Sequence, residues 1–233
     1  MSGYLADMGE LLGSYDILGA FLVNVRLTLW SALFAFVLGT VLAVMRVSPA
    51  PSLRWAGAAY VNTVRNIPLT LIILAASLGL WGQLGVELAG RDSGDFIATN
   101  SFRLAVLGLS VYTAAFVCEA LRSGVNTVPA GQAEAARAIG LGFGATMRLI
   151  ILPQAFRGAI APLGNTLIAL AKNTTVAQAA GVVQAASVMN TMMEFRPDLA
   201  VAIFLIIALG WVAIVLPTGL VTTHLSRRLG VAR

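Results

Sequence analysis

Gln132-Ala133-Glu134-Ala135-Ala136-Arg137-Ala138-Ile139-Gly140, followed by Ile150-Ile151-Leu152-Pro153, is a polar, alanine-rich stretch in a chain otherwise built for lipid. Thr127 and Pro129 favour a helix start, and the residues from Ala130 to Ile139 are strong helix formers. Gly140 can take the left-handed conformation that ends a helix without a Cβ penalty. Gly142 and Gly144 loosen the next turn, helix resumes over Met147–Leu152, and Pro153 is expected to stop it. The expectation is two short helices set at an angle and projecting from the membrane. Small residues at 133, 135, 136 and 138 let a partner's groove approach the backbone closely. Glu134 supplies the carboxylate of that face, near the helix N-terminus where negative charge is favoured. An amphipathic connector lying on the lipid headgroups would have a similar composition, so at this point both readings stand.

The rest of the chain explains the setting. It is 58% hydrophobic and only 11% charged, with a mean hydropathy of +0.87, whereas soluble domains carry about 25% charged residues. The 233 residues therefore read as an integral membrane protein. The net charge of +5 does not suggest nucleic acid, because the basic residues lie between hydrophobic spans rather than in one patch. The single Cys118, in an apolar run, gives neither a disulfide framework nor a metal pattern. The first sixteen residues hold Asp7, Glu10 and Asp16 but no Lys or Arg. A cleavable signal needs a basic start, so the first span is expected to be retained.

Spanning helices need about 20 mainly apolar residues, and five stretches qualify: 17–45, 59–83, 103–125, 155–176 and 199–222. The fold class expected is therefore all-α, integral membrane, with a transmembrane domain over 17–222. A segment of residues 1–16 precedes it and a tail of residues 223–233 follows. The polar stretch 177–190 is expected to form a short helix packed near the outer face. Positive charge then sets the orientation. Arg46, Arg54, Arg122, Arg137, Arg148, Arg157, Arg227, Arg228 and Arg233 fall on one side. The opposite connections hold Arg91 and Arg196 among Glu87, Asp92, Asp95, Glu194 and Asp198. The N-terminus is thus expected outside and the C-terminus inside, which puts segment 126–153 in the cytoplasm.

Ionisable groups inside spans cost at least about 2.5–3.5 kcal/mol at mid-membrane, so they usually face a cavity or a partner. Arg26 is near enough to the end of its span to snorkel. Arg65-Asn66-Ile67-Pro68 combines a guanidinium with a proline that frees local carbonyls. Glu119 lies one turn from Arg122, so an ion pair competes with any role in a path. Lys172-Asn173-Thr174-Thr175 closes the fourth span with an ammonium and three hydrogen-bonding side chains. Cationic and amide donors of this kind suit an anionic or zwitterionic solute, which makes Arg65, Asn66, Glu119, Lys172, Asn173 and Thr174 the candidate path residues. His224, the only histidine, reads as a surface group by the inner headgroups. Gly39, Ala43, Gly158, Ala161, Gly164 and Ala169 read as close-packing positions.

A P-loop needs Gly-x4-Gly-Lys-Ser/Thr. The only lysine, Lys172, has no such glycines before it, and the alternating glycines of 140–144 follow no strand. ATP hydrolysis is not expected of this chain. A secondary transporter would need its own coupling-ion site and often shows internal repeats, and neither an acidic relay nor a repeat is evident.

The spacing Glu134-Ala135-Ala136, three residues, Gly140, nine residues, Ile150, then Leu152-Pro153 resembles the EAA signature of ABC-importer permeases. Tyr112, Glu119, Leu121-Arg122-Ser123-Gly124, Gln154-Ala155, Pro162-Leu163, Asn165 and Lys172-Asn173-Thr174-Thr175 extend the likeness to the polar amino-acid branch. With Val61–Thr70 and Leu88–Arg91, the chain is similar to the shorter permeases of actinobacterial glutamate uptake systems over about residues 15–225. Where the branch usually has Arg-Gly-Thr/Ser-Pro and Lys-Asp-Thr/Ser-Ser, this chain has Arg65-Asn66-Ile67-Pro68 and Lys172-Asn173-Thr174-Thr175. Losing the aspartate makes the fourth span less acidic, which suits an anionic cargo.

The resemblance implies a type I ABC permease fold in the bacterial cell membrane. It implies partners: an ATPase dimer carrying ATP and Mg, a sister permease or second copy, and an extracytoplasmic solute-binding protein. Glu134, Ala135, Ala136, Gly140 and Pro153 would then couple to the ATPase. The implied cargo is L-glutamate, with glutamine, cystine or another polar amino acid as alternatives.

Overall fold

The computed structural model describes residues 9, 12–91 and 94–229. Most of residues 1–16, Asp92 and the tail beyond Leu229, Arg233 included, therefore lie outside the described residues. Among the described residues all regular structure is helical.

Helix α1, Ile17–Val47, begins where the Asp16 carboxylate accepts the Gly19 N–H at 2.8 Å, satisfying one of the first-turn donors. Its 31 residues span about 46 Å at 1.5 Å each, more than a hydrocarbon core of about 30 Å. Its exposed side is as apolar as its buried one: Leu18, Leu22, Leu29, Leu33, Val37 and Val41 face outward. A helix hydrophobic all round belongs in lipid or in the middle of a large core.

Helix α2, Pro51–Asn66, starts with proline at a first-turn position, where the missing N–H costs nothing. It does not run through to residue 83, as a continuous 59–83 span would. Ile67 is extended (φ −91°, ψ 130°), Pro68 follows at φ −56°, ψ 134°, and α3 begins at Leu69. The residue before a proline is driven out of helical geometry, so the break is written into Ile67-Pro68. Helix α3, Leu69–Leu74, passes into a π-helix over Ala75–Gln83.

Helix α4, Phe96–Asn126, starts seven residues before the expected 103. Its first two turns grip the preceding loop. The Asn100 side-chain oxygen accepts the Leu88 N–H at 2.7 Å, and Arg103 donates to the Leu88 carbonyl. In that loop Arg91 forks onto Glu87 at 2.6 and 2.8 Å and holds its carboxyl below the usual carboxylate range.

After segment 127–151, helix α7 (Leu152–Asn173) leads into a 3₁₀ turn, Thr174–Ala180. Stretch 177–190 is not one helix. Gly181, at φ +78°, ends the turn in the left-handed region, and α8 starts afresh at Ala185 and runs to Phe195. Gln184 caps it in a reciprocal box with Ser187. Helix α9, Ala200–Leu229, completes the described chain.

Among the described residues, three runs are long and apolar enough to cross a membrane: Ile17–Val47, Phe96–Asn126 and Pro197–Arg228. The broken pair Pro51–Asn66 and Leu69–Gln83 makes a fourth if counted as one span. Helix α7 is not in this set, since Gln154, Arg157, Asn165, Thr166 and Lys172 interrupt its apolar surface.

The described residues form two compact units. One comprises the residues up to Ala32, Pro68–Leu109 and Leu170–Leu216. Its core gathers Phe21, Ala185, Met192, Leu199, Ile203 and Ile207, with Trp211 edge-on to Phe21 at 5.8 Å. The other comprises Leu33–Ile67, Ser110–Ala169 and the residues from Pro217 onward. It is held by close helix crossings, such as Gly39 against Val117, where a Cβ would come within 2.6 Å of the valine side chain.

Candidate functional site

Segment 126–153 folds as two short helices followed by a π-helix. Helix α5, Ala130–Ala138, begins after Pro129 and closes with Ile139 and Gly140. The Leu141 N–H reaches the Ala136 carbonyl at 3.0 Å, and the Gly140 N–H reaches the Arg137 carbonyl at 3.0 Å. These are the terminal carbonyls a C-cap must satisfy. Gly140 sits at φ +89°, the left-handed position expected of it. Helix α6, Phe143–Thr146, then leads into a π-helix, Met147–Ile151.

Pro153 does not stop the second helix. It lies in the first turn of α7, which continues directly from the π-helix. A proline cannot donate to the carbonyl four residues back. Here the Leu152 N–H already reaches five residues back to Met147, so the ladder is re-registered ahead of the proline.

Of the five residues expected to couple, Glu134, Ala135, Gly140 and Pro153 are exposed, and Ala136 is buried. Helix α5 therefore packs inward through Ala136 and offers Glu134, Ala135 and the largely bare Ile139 outward. A carboxylate beside small residues and one large apolar side chain makes a knob suited to a groove in another protein. A helix lying on headgroups would instead turn its apolar face to lipid and its charges to water.

The candidate path residues separate by unit. In the second unit, the Arg65 guanidinium stacks over Phe116 at 5.4 Å from the ring centre and is exposed. Such a contact holds a cation without neutralising it. Asn66, also exposed, donates to the Asn62 carbonyl at 2.6 Å. Glu119 is occupied: one carboxylate oxygen accepts from Arg46, and the other from Arg122 at 2.9 Å.

In the first unit, Lys172 is exposed at a cavity of about 570 Å³ that it shares with Thr175, Trp211, Val212, Val215 and Leu216. An ammonium at the mouth of an apolar recess can hold an anion while leaving it reversible. Asn173 is half-buried beside it. Thr174 is fully buried, accepts from the Asn24 side-chain amide at 2.9 Å and donates to the Ala171 carbonyl at 2.6 Å. Its hydroxyl is consumed inside the protein.

Two roles were missed in the sequence. Asn24, buried in α1, also donates to the Gln184 side-chain oxygen at 3.1 Å and accepts the Ala185 N–H at 3.0 Å. Gln184, equally buried, donates to the Thr175 carbonyl at 3.0 Å. The signal available was the single asparagine of a mostly apolar span, which needs internal partners when it is buried. Arg46, read only as a marker of the inner side, is a partner of Glu119.

A family profile described as "binding-protein-dependent transport system inner membrane component" matches residues 35–231. The chain is 53% identical over 233 residues to the Corynebacterium glutamicum glutamate transport system permease protein GluC, with all of both chains covered. It is 35% identical over 197 residues to the probable glutamine ABC transporter permease protein GlnM of Bacillus subtilis, covering 84% of each. The fold matches that of a crystal structure of an amino acid ABC transporter with histidines, at a TM-score of 0.80 over 97% of both chains and 22% identity. On the match over residues 35–231, the chain belongs to the binding-protein-dependent transport system inner membrane component family.

Proposed function

We propose that this chain is a permease subunit of an ATP-driven importer of L-glutamate. The observation that carries the cargo is the 53% identity, end to end, with a relative named as a glutamate transport permease. The chain is a transport subunit of the bacterial cytoplasmic membrane rather than a catalyst. Hydrolysis falls to a separate ATPase dimer that binds ATP and Mg and docks on the exposed face of α5, with Glu134 at its centre. A sister permease completes the pathway, and a solute-binding protein delivers glutamate from outside.

Five spans, with the N-terminus outside and the C-terminus inside, place α5 on the ATPase side. In this arrangement α7 is the fourth span despite its polar residues, which face protein or pathway rather than lipid. Closure of the ATPase dimer displaces α5 and α6 and turns the spans outward for loading, and its opening returns them inward. Arg65, Asn66, Lys172 and Asn173 supply donors along the path. Glu119 and Thr174 hold structure instead, because their acceptor atoms are already engaged.

Competition decides the cargo. Proteoliposomes holding this chain, the sister permease and the ATPase, with the binding protein outside, should take up labelled glutamate against excess glutamine or cystine. Displacement of the label by either competitor would keep the importer and replace its cargo.

A further inference from the structure

Where the chain enters and leaves segment 126–153, four helices of one compact unit meet without slack. Arg46, in the last turn of α1, and Arg122 of α4 both donate to the Glu119 carboxylate. The Arg46 stem crosses α2 at Gly57, where a Cβ would lie 2.9 Å from Arg46 Cγ and 3.4 Å from the Leu42 carbonyl oxygen. Two residues beyond Arg122, a Cβ at Gly124 would overlap the Ala155 carbonyl oxygen of α7 and stand 2.8 Å from Ala159 Cβ. A Cβ at Gly158 of α7 would overlap the Thr127 hydroxyl, which itself donates to the Gly124 carbonyl at 2.7 Å. Both legs of the projection are thus pinned, backbone to backbone, beside a carboxylate bridging two helices.

We propose that this cluster is the joint that carries a displacement of α5 into α1 and α2, with Glu119 as its positioning residue. The inference rests on the importer reading and deepens it. Close-packed contacts do not absorb movement but pass it on. Three residues separate α4 from α5, too few to act as a slack tether. The crossing at Gly124 and Gly158 therefore makes the projection and the ends of α4 and α7 move together. Helix α1 crosses α4 closely at Gly39, where a Cβ would lie 2.6 Å from the Val117 side chain and 2.9 Å from the Ala114 carbonyl oxygen. Two turns further on, its last turn is tied to α4 by the charge-assisted bridge from Arg46 to Glu119. Replacing the carboxylate by an amide leaves Arg46 and Arg122 as neighbouring like charges, which drives the two helix ends apart. The ATPase would still dock and turn over, but its stroke would reach the last turn of α1 and α2 only weakly, through the Gly39 crossing.

The test uses the complete reconstituted complex and compares wild type with Glu119→Gln and Glu119→Asp. The readout is ATP hydrolysed per amino acid taken up, measured with whichever amino acid the wild type transports. Glu119→Gln is expected to raise that ratio about tenfold while the complex assembles in normal amount. Glu119→Asp keeps the charge at shorter reach and should restore most of the coupling. A purely structural role would lower ATPase and uptake in proportion, leaving the ratio unchanged, and that result in an active complex overturns the joint alone. If Glu119→Gln fails to assemble, Arg46→Gln, which removes the α1 side of the bridge, is measured instead: a raised ratio upholds the joint and an unchanged one overturns it. A wild-type complex with no ATP-driven uptake overturns the importer reading and this proposal together.

Discussion

Asn24 shows how much one side chain can organise in a membrane protein. It is 1% exposed and makes three contacts, to Thr174, Gln184 and the Ala185 N–H. Together they seat α1 against the start of α8. Removing Asn24 takes the acceptor from the Ala185 N–H and one partner each from Thr174 and Gln184, and a buried donor left unmade costs about 1–3 kcal/mol. Asn24→Ala should therefore lower the thermal midpoint of the detergent-purified protein clearly, whereas Arg26→Ala, at an exposed neighbour, should leave it nearly unchanged. Equal midpoints for the two variants would show that the network is not stabilising. The residue types of this network were visible in the sequence, but the pairings were not. Thr174 was a path candidate because its neighbours are polar, and only the fold reveals Asn24 reaching it from 150 positions away.

At the scale of elements, Gly140 is the most exacting position. Its φ of +89° lies where a β-branched residue is a genuine outlier. The left-handed region costs an ordinary residue about 1–2 kcal/mol. Gly140→Val should therefore reshape the end of α5, and ATPase binding to the reconstituted permease should weaken while membrane insertion stays normal. Unchanged ATPase affinity would show that the cap geometry is irrelevant to docking.

The start and end of α5 were legible because Pro129 and Gly140 act through local sterics, which travel with the residue. The break at Ile67-Pro68 was legible as a disturbance for the same reason, although the span was drawn through it. The π-helices over Ala75–Gln83 and Met147–Ile151 were not legible. The ladder over Met147–Ile151 is widened just ahead of Pro153, and no residue type announces either π-helix. The earlier start of α4 was hidden in the same way, because Asn100 looks like a loop residue until its grip on Leu88 is seen.

For the whole molecule, orientation and coupling are one question, since α5 works only if it lies on the ATPase side. Cys118 is the single cysteine and is buried, so its replacement by alanine gives a background for site-specific labelling. In that background an impermeant thiol reagent should reach Gly13→Cys from outside intact cells and Ser226→Cys only after the membrane is opened. The reverse pattern would invert the topology and remove α5 from the cytoplasm. The expected orientation rests on the distribution of basic residues alone, and this labelling pattern is its test. The path itself was less legible, because Arg65 and Lys172 belong to different compact units.

The most direct measurement compares the wild type with Glu134→Lys in proteoliposomes that also hold the sister permease and ATPase, with loaded binding protein outside. The wild type should take up labelled glutamate only when ATP is supplied. Glu134→Lys, inserted to the same level, should take up almost none, because reversing the exposed charge of α5 opposes docking. Normal ATP-driven uptake by Glu134→Lys, or uptake by this chain alone without ATP, would contradict the account.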